Sequence, residues 1–250
     1  MVEREPTGIP ELDAELEGGI PKKFSIALYG KTGTFKTLFA RIFTCKGLVL
    51  GQPVFYVSFD KPHEIIMESI KSILEKFSTD TTIALKNLIY IDCWAWRERA
   101  YNKKETYRQD IEVHKNRIVI TNPRDVERVF LTIKENVQKA PNGRIIFDSL
   151  TGLLSLASPE SISEAIELFK VFKAFFKNNG YTQIYVIYSN VHEQFNGPIL
   201  YCMDGILHFI RRIIENRNRY YISIDRMLLT NHTKYLLEFE PSKDWIIIKR

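Results

Sequence analysis

The stretch GKTGTFKT, residues 30–37, decides how the chain folds. It differs at one position from the phosphate-binding loop G-x-x-x-x-G-K-[ST], because Phe35 stands where the motif has its second glycine. An apolar run, FSIALY at 24–29, precedes the stretch, and an amphipathic segment over 36–48 follows it. A strand, a glycine-rich loop and a helix in this order present backbone N–H groups and a helix N-terminus to an anion. The sequence therefore predicts a phosphate-binding loop; the alternative is a glycine-rich turn that happens to contain Lys and Thr.

The residue types within this loop predict how it would hold a nucleotide and Mg²⁺. We expect Lys36 to neutralise the β and γ phosphates and Thr37 to offer its hydroxyl to Mg²⁺. Phe35 is the departure, because the backbone conformation that a glycine adopts there is costly for other residues, so binding requires that its ring point into the core. The predicted nucleotide contacts in the loop are Gly30, Lys31, Thr32, Gly33, Thr34, Phe35, Lys36 and Thr37.

Two polar positions at other strand ends are candidates for the same site. RIIFDS at 144–149 is an apolar strand that ends in Asp148, which we expect to hold Mg²⁺ together with Thr37. Ser189 follows the strand QIYVIY, 183–188, at a comparable strand end. The alternatives are that Asp148 caps the turn after its strand and that Ser189 belongs to an ordinary strand-ending turn.

Strand-like and helix-like segments alternate along most of the chain, which predicts an α/β fold with a mostly parallel sheet flanked by helices. Beyond Asn190 the pattern changes to strand-like runs without helices, which predicts an antiparallel C-terminal extension. The charged, aromatic segment 94–122 is longer than ordinary connections and is predicted to be an insertion or functional loop. We expect a single domain over 1–250.

Composition narrows the class of protein. The net charge of +5 comes from 35 basic and 30 acidic residues, which is too small an excess to indicate nucleic acid by itself. The three cysteines form no C-x-x-C pair, and no apolar run is long enough to span a membrane. We therefore expect a soluble, cytoplasmic protein with no membrane partner.

Several stretches together resemble one family. They are TGIPELDAELEGGIP at 7–21, YVSFD at 56–60, FDSL at 147–150, MDGILHF at 203–209 and RMLLTNH at 226–232. With the phosphate loop, they resemble the KaiC-like and archaeal RadA-like ATPases of the RecA superfamily, which are P-loop NTPases. The resemblance implies a RecA-like core, binding of ATP and Mg²⁺, nucleotides at subunit interfaces of a homo-oligomer, and an archaeal or thermophilic source. It also makes Ser189 a candidate to sense the γ phosphate, since the superfamily has a polar residue with that role at this strand end.

The resemblance also assigns two catalytic candidates and shows departures around them. Asp60 stands where the family has a glutamate that polarises the attacking water, and Lys61 beside it is expected to keep Asp60 ionised. Leu228 replaces an arginine that contacts the neighbouring subunit's nucleotide, which leaves Arg226 to act across an interface. We expect slow hydrolysis at best, and a monomer or dimer is as plausible as a ring or filament.

The segment 94–117 interleaves aromatic rings with cations, as single-stranded nucleic acid requires. Its candidate nucleic-acid contacts are Arg97, Arg99, Lys103 and Lys104. Acidic residues dilute the charge, so a solvated loop is an equal alternative. Three uses of the fold remain open: a recombination or repair accessory that binds single-stranded DNA, a regulatory ATP-binding module that engages a RadA- or KaiC-like protein partner, and a nucleotide-free pseudo-ATPase that serves as a protein-interaction or signalling module.

Overall fold

The computed structural model describes residues 2–97, 111–157 and 162–249. The helices in these ranges are α1 Pro10–Glu15, α2 Lys36–Val49, α3 His63–Lys76, α4 Thr81–Ala84, α5 Val126–Val137, α6 Leu150–Leu154, α7 Ile162–Asn178 and α8 Glu193–Tyr201. The first seven strands are β1 Arg4–Glu5, β2 Ile20–Pro21, β3 Ser25–Gly30, β4 Val54–Ser58, β5 Leu88–Asp92, β6 Ile111–His114 and β7 Arg117–Ile120. They are followed by β8 Arg144–Asp148, β9 Thr182–Tyr188, β10 Gly205–Ile214, β11 Arg217–Met227, β12 Leu237–Pro241 and β13 Ile246–Ile248.

A large mostly parallel sheet organises these elements. Its strand order is β13-β12-β11-β10-β3-β9-β8-β4-β5-β7-β6. The strands from β10 to β7 pair in parallel, whereas β11, β12 and β13 continue from β10 as antiparallel neighbours. This arrangement confirms the predicted fold class, including the antiparallel C-terminal extension. The carboxyl ends of β3, β4, β8 and β9 consequently meet at one edge of the sheet.

Helices cover both faces of the sheet and bury two apolar clusters. One cluster joins α2 and α3 to the face that carries Ile26 and Leu28. The other joins α5 and α7 to the opposite face, which carries Ala27. Three phenylalanines of α7 are buried there: Phe169, Phe172 and Phe176. Burial of the central strands on both faces explains why their sequences are continuously apolar rather than alternating.

The structure differs from the sequence prediction in two connections. Within the predicted loop 94–122, β6 and β7 form a hairpin, and β7 joins the sheet in parallel with β5. Residues 98–110 of that segment lie outside the described residues. After Asn190 the chain forms α8, a helix that the sequence did not predict, because Gly197 and Pro198 inside it are typical of a turn.

The start of the long helix α7 is described from Ile162 onward. Ser158 is a residue type that caps helix N-termini, but 158–161 lie outside the described residues. Every helix of the described ranges is too short or too polar to cross a membrane.

Candidate nucleotide-binding site

Four strand ends bring the predicted site residues to one edge of the sheet. Gly30 at the end of β3 pairs with Tyr188 of β9, so Ser189 follows directly beside the phosphate loop. Ser58 at the end of β4 pairs with Asp148 of β8. This register places Asp60, two residues after β4, next to Asp148. Parallel pairing therefore collects residues that lie far apart in the sequence.

The glycines of the loop are required by its backbone. Gly30 has φ +146°, and a Cβ there would lie 2.2 Å from the carbonyl oxygen of Phe209 on β10. Gly33 has φ +79°, in the left-handed region that favours glycine. The Thr34 hydroxyl donates to the carbonyl oxygen of Lys31 at 2.8 Å and closes the curl. Lys31 and Thr32 are exposed, so this side of the loop is open to solvent.

Lys36 is a buried lysine that forms no ion pair within the described residues. Its side chain is 2% exposed, and its Nζ donates to the carbonyl oxygens of Gly30 and Lys31, each at 2.8 Å. Nζ also lies 4.5 Å from the ring centroid of Tyr188. No ion pair joins it to a carboxylate of the described residues. Burial lowers the pKa of Lys36 to about 7, although Asp148 acts in the opposite direction. An anion bound at this loop would supply the missing charge.

Asp148 and Thr37 form the predicted metal-binding pair. The Thr37 hydroxyl donates to Oδ1 of Asp148 at 3.0 Å, and the hydroxyl of Tyr56 on β4 donates to Oδ2 at 2.5 Å. A carboxylate beside a hydroxyl at a phosphate loop is a donor set of hard oxygens, which suits Mg²⁺. The residues present therefore fit this ion.

Tyr56 and Arg41 belong to this site although the sequence did not predict them. Arg41 lies one helical turn after Thr37 and donates to the Ser69 hydroxyl at 3.1 Å. Burial acts to lower the pKa of Arg41, but the neighbouring Tyr56 and Asp148 raise it overall. The sequence could have indicated that Arg41 lies near the site, because it is four residues after Thr37 on α2 and residues i and i+4 share a helix face. Nothing in the sequence indicated Tyr56.

Asp60 is held beside the metal-binding pair. The Ser149 hydroxyl donates to its Oδ2 at 2.6 Å. Burial raises the pKa of Asp60, against the Ser149 hydrogen bond, and Asp148 raises it further. Lys61 acts to lower this pKa, in the expected direction, but burial outweighs it and the pKa is raised overall. The carboxylate is thus a better proton acceptor than an exposed aspartate.

Phe35 adopts the conformation that its position imposes. Its φ and ψ are 68° and 20°, in the left-handed region, as a glycine-like position requires. The ring packs edge-on against Tyr220 at 4.9 Å between centroids and lies 6.5 Å from Phe239. Both partners belong to the antiparallel extension. The ring therefore joins the apolar cluster of α2 and leaves the phosphate loop clear.

Ser189 lies beside the loop, as predicted. Its backbone N–H donates to the carbonyl oxygen of Gly30 at 3.0 Å, and its carbonyl accepts from Asn196 at 3.3 Å. It also lines a cavity of about 530 Å³ with Lys31 and Thr34. Sensing of a γ phosphate by its hydroxyl stays a prediction.

Arg226 lies away from the phosphate loop of its own chain. Ile206 pairs with both Arg226 and Ala27, three residues before Gly30. The guanidinium donates to the carbonyl oxygens of Leu200 and, at 2.7 Å, of Met203 at the end of α8. A cation is favourable there because the last carbonyls of a helix have no internal donors. Its predicted action across a subunit interface stays a prediction.

Arg97 is engaged within the fold. It donates to the carbonyl oxygen of Phe59 at 2.9 Å and packs over the rings of Trp94 and Trp96, at 4.6 and 5.0 Å from their centroids. This differs from the prediction of a free cation for nucleic acid, because the aromatic neighbours are packed onto the domain. The other three candidates, Arg99, Lys103 and Lys104, lie outside the described residues.

Comparison with known proteins decides the family. The family model described as "ATPase: KaiC" matches residues 5–250. The chain belongs to this KaiC ATPase family. A UPF0273 protein of Thermotoga maritima is 26% identical over 252 residues, which cover 99% of this chain and 96% of that protein. A UPF0273 protein of Methanopyrus kandleri is 27% identical over 247 residues, 98% of this chain and 91% of that protein.

A solved structure shares the fold along the whole chain. The KaiC-like protein PH0186 from the hyperthermophilic archaeon Pyrococcus horikoshii superposes with a TM-score of 0.75 at 20% identity, and the match covers 100% of both chains. The resemblance to KaiC-like ATPases with a RecA-type fold is therefore confirmed. Membership of the KaiC family implies nucleotide binding, typically with Mg²⁺.

Proposed function

We propose that this KaiC family member binds ATP with Mg²⁺ and hydrolyses it slowly or not at all. The observation that carries the proposal is the buried Lys36, which makes no ion pair with the described residues and lies where the backbone of the loop and the N-terminus of α2 favour an anion. A buried ammonium whose partners are neutral carbonyl oxygens is costly, and a phosphate would lower that cost.

The residues of the loop divide the binding between them. The backbone N–H groups around Gly33 and Lys36 hold the phosphates, and the Lys36 ammonium adds its charge. Thr37 and Asp148 hold Mg²⁺, which supplies positive charge to the phosphate oxygens. Tyr56 orients Asp148 through its 2.5 Å hydrogen bond.

Weak hydrolysis follows from the catalytic side of the site. Asp60 accepts a proton well, because burial raises its pKa, but its carboxylate is one methylene shorter than a glutamate. A displacement of about 1 Å can cost on the order of a hundredfold in rate. Arg226 is bonded to the end of α8, and position 228 is a leucine. The site therefore favours holding ATP over consuming it.

Titration calorimetry with MgATP tests the proposal, on the wild type, on Lys36→Met and on Lys71→Met. Lys71 is an exposed lysine of α3 and controls for the loss of a positive charge. We expect the wild type and Lys71→Met to bind alike and Lys36→Met to lose at least tenfold in affinity. If Lys36→Met bound ATP as tightly as the wild type, the proposal would be wrong.

A nucleotide-free pseudo-ATPase is the second candidate function. The observation that favours it is that the loop already satisfies Lys36 with its own carbonyls, of Gly30 and Lys31. In that case MgATP at millimolar concentration leaves the unfolding temperature unchanged. Binding to the native state would instead raise it with nucleotide concentration.

Binding of single-stranded DNA distinguishes the regulatory role from the DNA-accessory role. A recombination or repair accessory binds a single-stranded oligonucleotide with a steep salt dependence, which neutralising Arg99, Lys103 and Lys104 together would flatten. A regulatory module shows no such binding and changes its self-association or its protein partner with ATP. The comparison is a fluorescence titration of labelled DNA at two salt concentrations, with and without MgATP.

A further inference from the structure

The β10–β11 hairpin carries five arginines, and one of them, Arg211, lies against the phosphate loop. Nη1 of Arg211 is 3.8 Å from the position that a Cβ would take on Gly33. The last parallel pair of β10 with β3 is His208 with Tyr29, so the strand runs on past the edge of the sheet. Arg211, three residues later, therefore overhangs the loop of its own chain.

Arg211 also lines the cavity of about 530 Å³ in front of the loop. The loop residues Lys31 and Thr34 and the predicted sensor Ser189 line the same cavity. Any group that occupied this cavity beside the loop would thus meet Arg211 and Ser189 together. The volume suits part of a small-molecule ligand.

The Arg211 guanidinium is uncommitted, in contrast to its neighbours. Within the described ranges it makes no hydrogen bond and no ion pair. Arg212 lies over the ring of Tyr221, 5.6 Å from its centroid, and Arg219 bonds to Glu238 at 2.8 Å. Arg211 therefore keeps its donors for a ligand. A guanidinium binds phosphate oxygens in a fixed two-pronged geometry that a lysine cannot reproduce.

We propose that Arg211 binds the terminal phosphate of the nucleotide held by its own chain, and that it makes the site prefer ATP to ADP. This inference rests on the proposed function. The loop holds the phosphates common to both nucleotides and Lys36 reaches the β and γ phosphates, whereas Arg211 approaches the loop from the cavity that it shares with Ser189. Its contact is thus made with the phosphate that only ATP has.

The test is titration calorimetry with MgADP and with the Mg²⁺ complex of a β,γ-imido ATP analogue, which resists hydrolysis. The proteins are the wild type, Arg211→Ala, Arg211→Lys and the matched control Arg212→Ala. We expect Arg211→Ala to weaken binding of the ATP analogue by about tenfold or more and to leave ADP binding unchanged, since one charge-assisted contact is lost. Arg211→Lys should recover part of the loss, and Arg212→Ala should match the wild type.

Other results overturn the inference in distinguishable ways. If Arg211→Ala bound both nucleotides like the wild type, or lost affinity for both equally, Arg211 would have no role at the terminal phosphate. If that happened while Lys36→Met still abolished binding, the proposed function would stand alone. If the wild type bound neither nucleotide, both would fail. Repeating the titration at a tenfold lower protein concentration tests whether Arg211 acts on the nucleotide of its own chain or of a neighbouring chain. If the loss of affinity in Arg211→Ala is unchanged on dilution, Arg211 acts within its own chain; if the loss vanishes, that placement is contradicted.

Discussion

Replacing Phe35 by alanine and by glycine separates the packing of its ring from the conformation of its backbone. Deleting a buried Phe ring costs about 3–5 kcal/mol, so this half-buried ring should contribute roughly 2–3 kcal/mol to the free energy of unfolding. At φ 68° alanine retains a strain of about 1–2 kcal/mol, which glycine removes. Glycine also gives the unfolded chain about 0.4–1 kcal/mol of extra entropy. We therefore expect Phe35→Gly to be more stable than Phe35→Ala by roughly 0.5–1 kcal/mol.

Urea denaturation with a matched pair of control variants measures this difference. Lys71 is exposed within α3, where alanine should be more stable than glycine by about 1 kcal/mol, so the order of the two residues reverses between the sites. MgATP affinity should stay within about threefold of the wild type in both Phe35 variants, because the ring points towards Tyr220. The reasoning is refuted if alanine is as stable as glycine at position 35. Loss of MgATP binding in Phe35→Gly would show that the ring supports the loop.

Three further predictions concern the site and α8. Since the pKa of Lys36 is about 7 and an anion would raise it, MgATP binding should take up more protons at pH 8 than at pH 6. Calorimetry in buffers of different ionisation enthalpy measures this uptake, and an equal uptake by Lys36→Arg would contradict it. Asp60→Asn should lower phosphate release at least tenfold without weakening MgATP binding, because the amide accepts no proton; an unchanged rate would remove Asp60 from the mechanism. Arg226→Met should lower the free energy of unfolding by about 1–3 kcal/mol, because carbonyls at the end of α8 lose their donors; urea denaturation with an unchanged midpoint would contradict that role.

The fold and the core of the site follow from local patterns in the sequence. Alternating strands and helices predict the parallel sheet, and parallel pairing then brings strand ends together. Lys36 and Thr37 stand at a helix start and Asp148 at a strand end, and both positions can be recognised in the sequence. These patterns are local and do not depend on long-range packing, which explains why the structure places the three residues as expected.

The rest of the site depends on contacts between distant segments. The direction of the Phe35 ring is set by Tyr220 and Phe239, which lie on strands far from Phe35 in the sequence. Arg226 bonds to α8, whose Gly197 and Pro198 concealed the helix. Arg211 reaches the loop only because β10 runs past the edge of the sheet. Local propensity contains none of this information.

The most direct test of the central claim is an experimental structure of the protein with Mg²⁺ and the β,γ-imido ATP analogue. We predict that the phosphates lie in the loop 30–37 and that Nζ of Lys36 leaves the carbonyl oxygens of Gly30 and Lys31 to contact them. The ion should lie beside Thr37 and Asp148. A nucleotide bound elsewhere, or a Lys36 that keeps both carbonyls while the nucleotide is bound, would contradict the account.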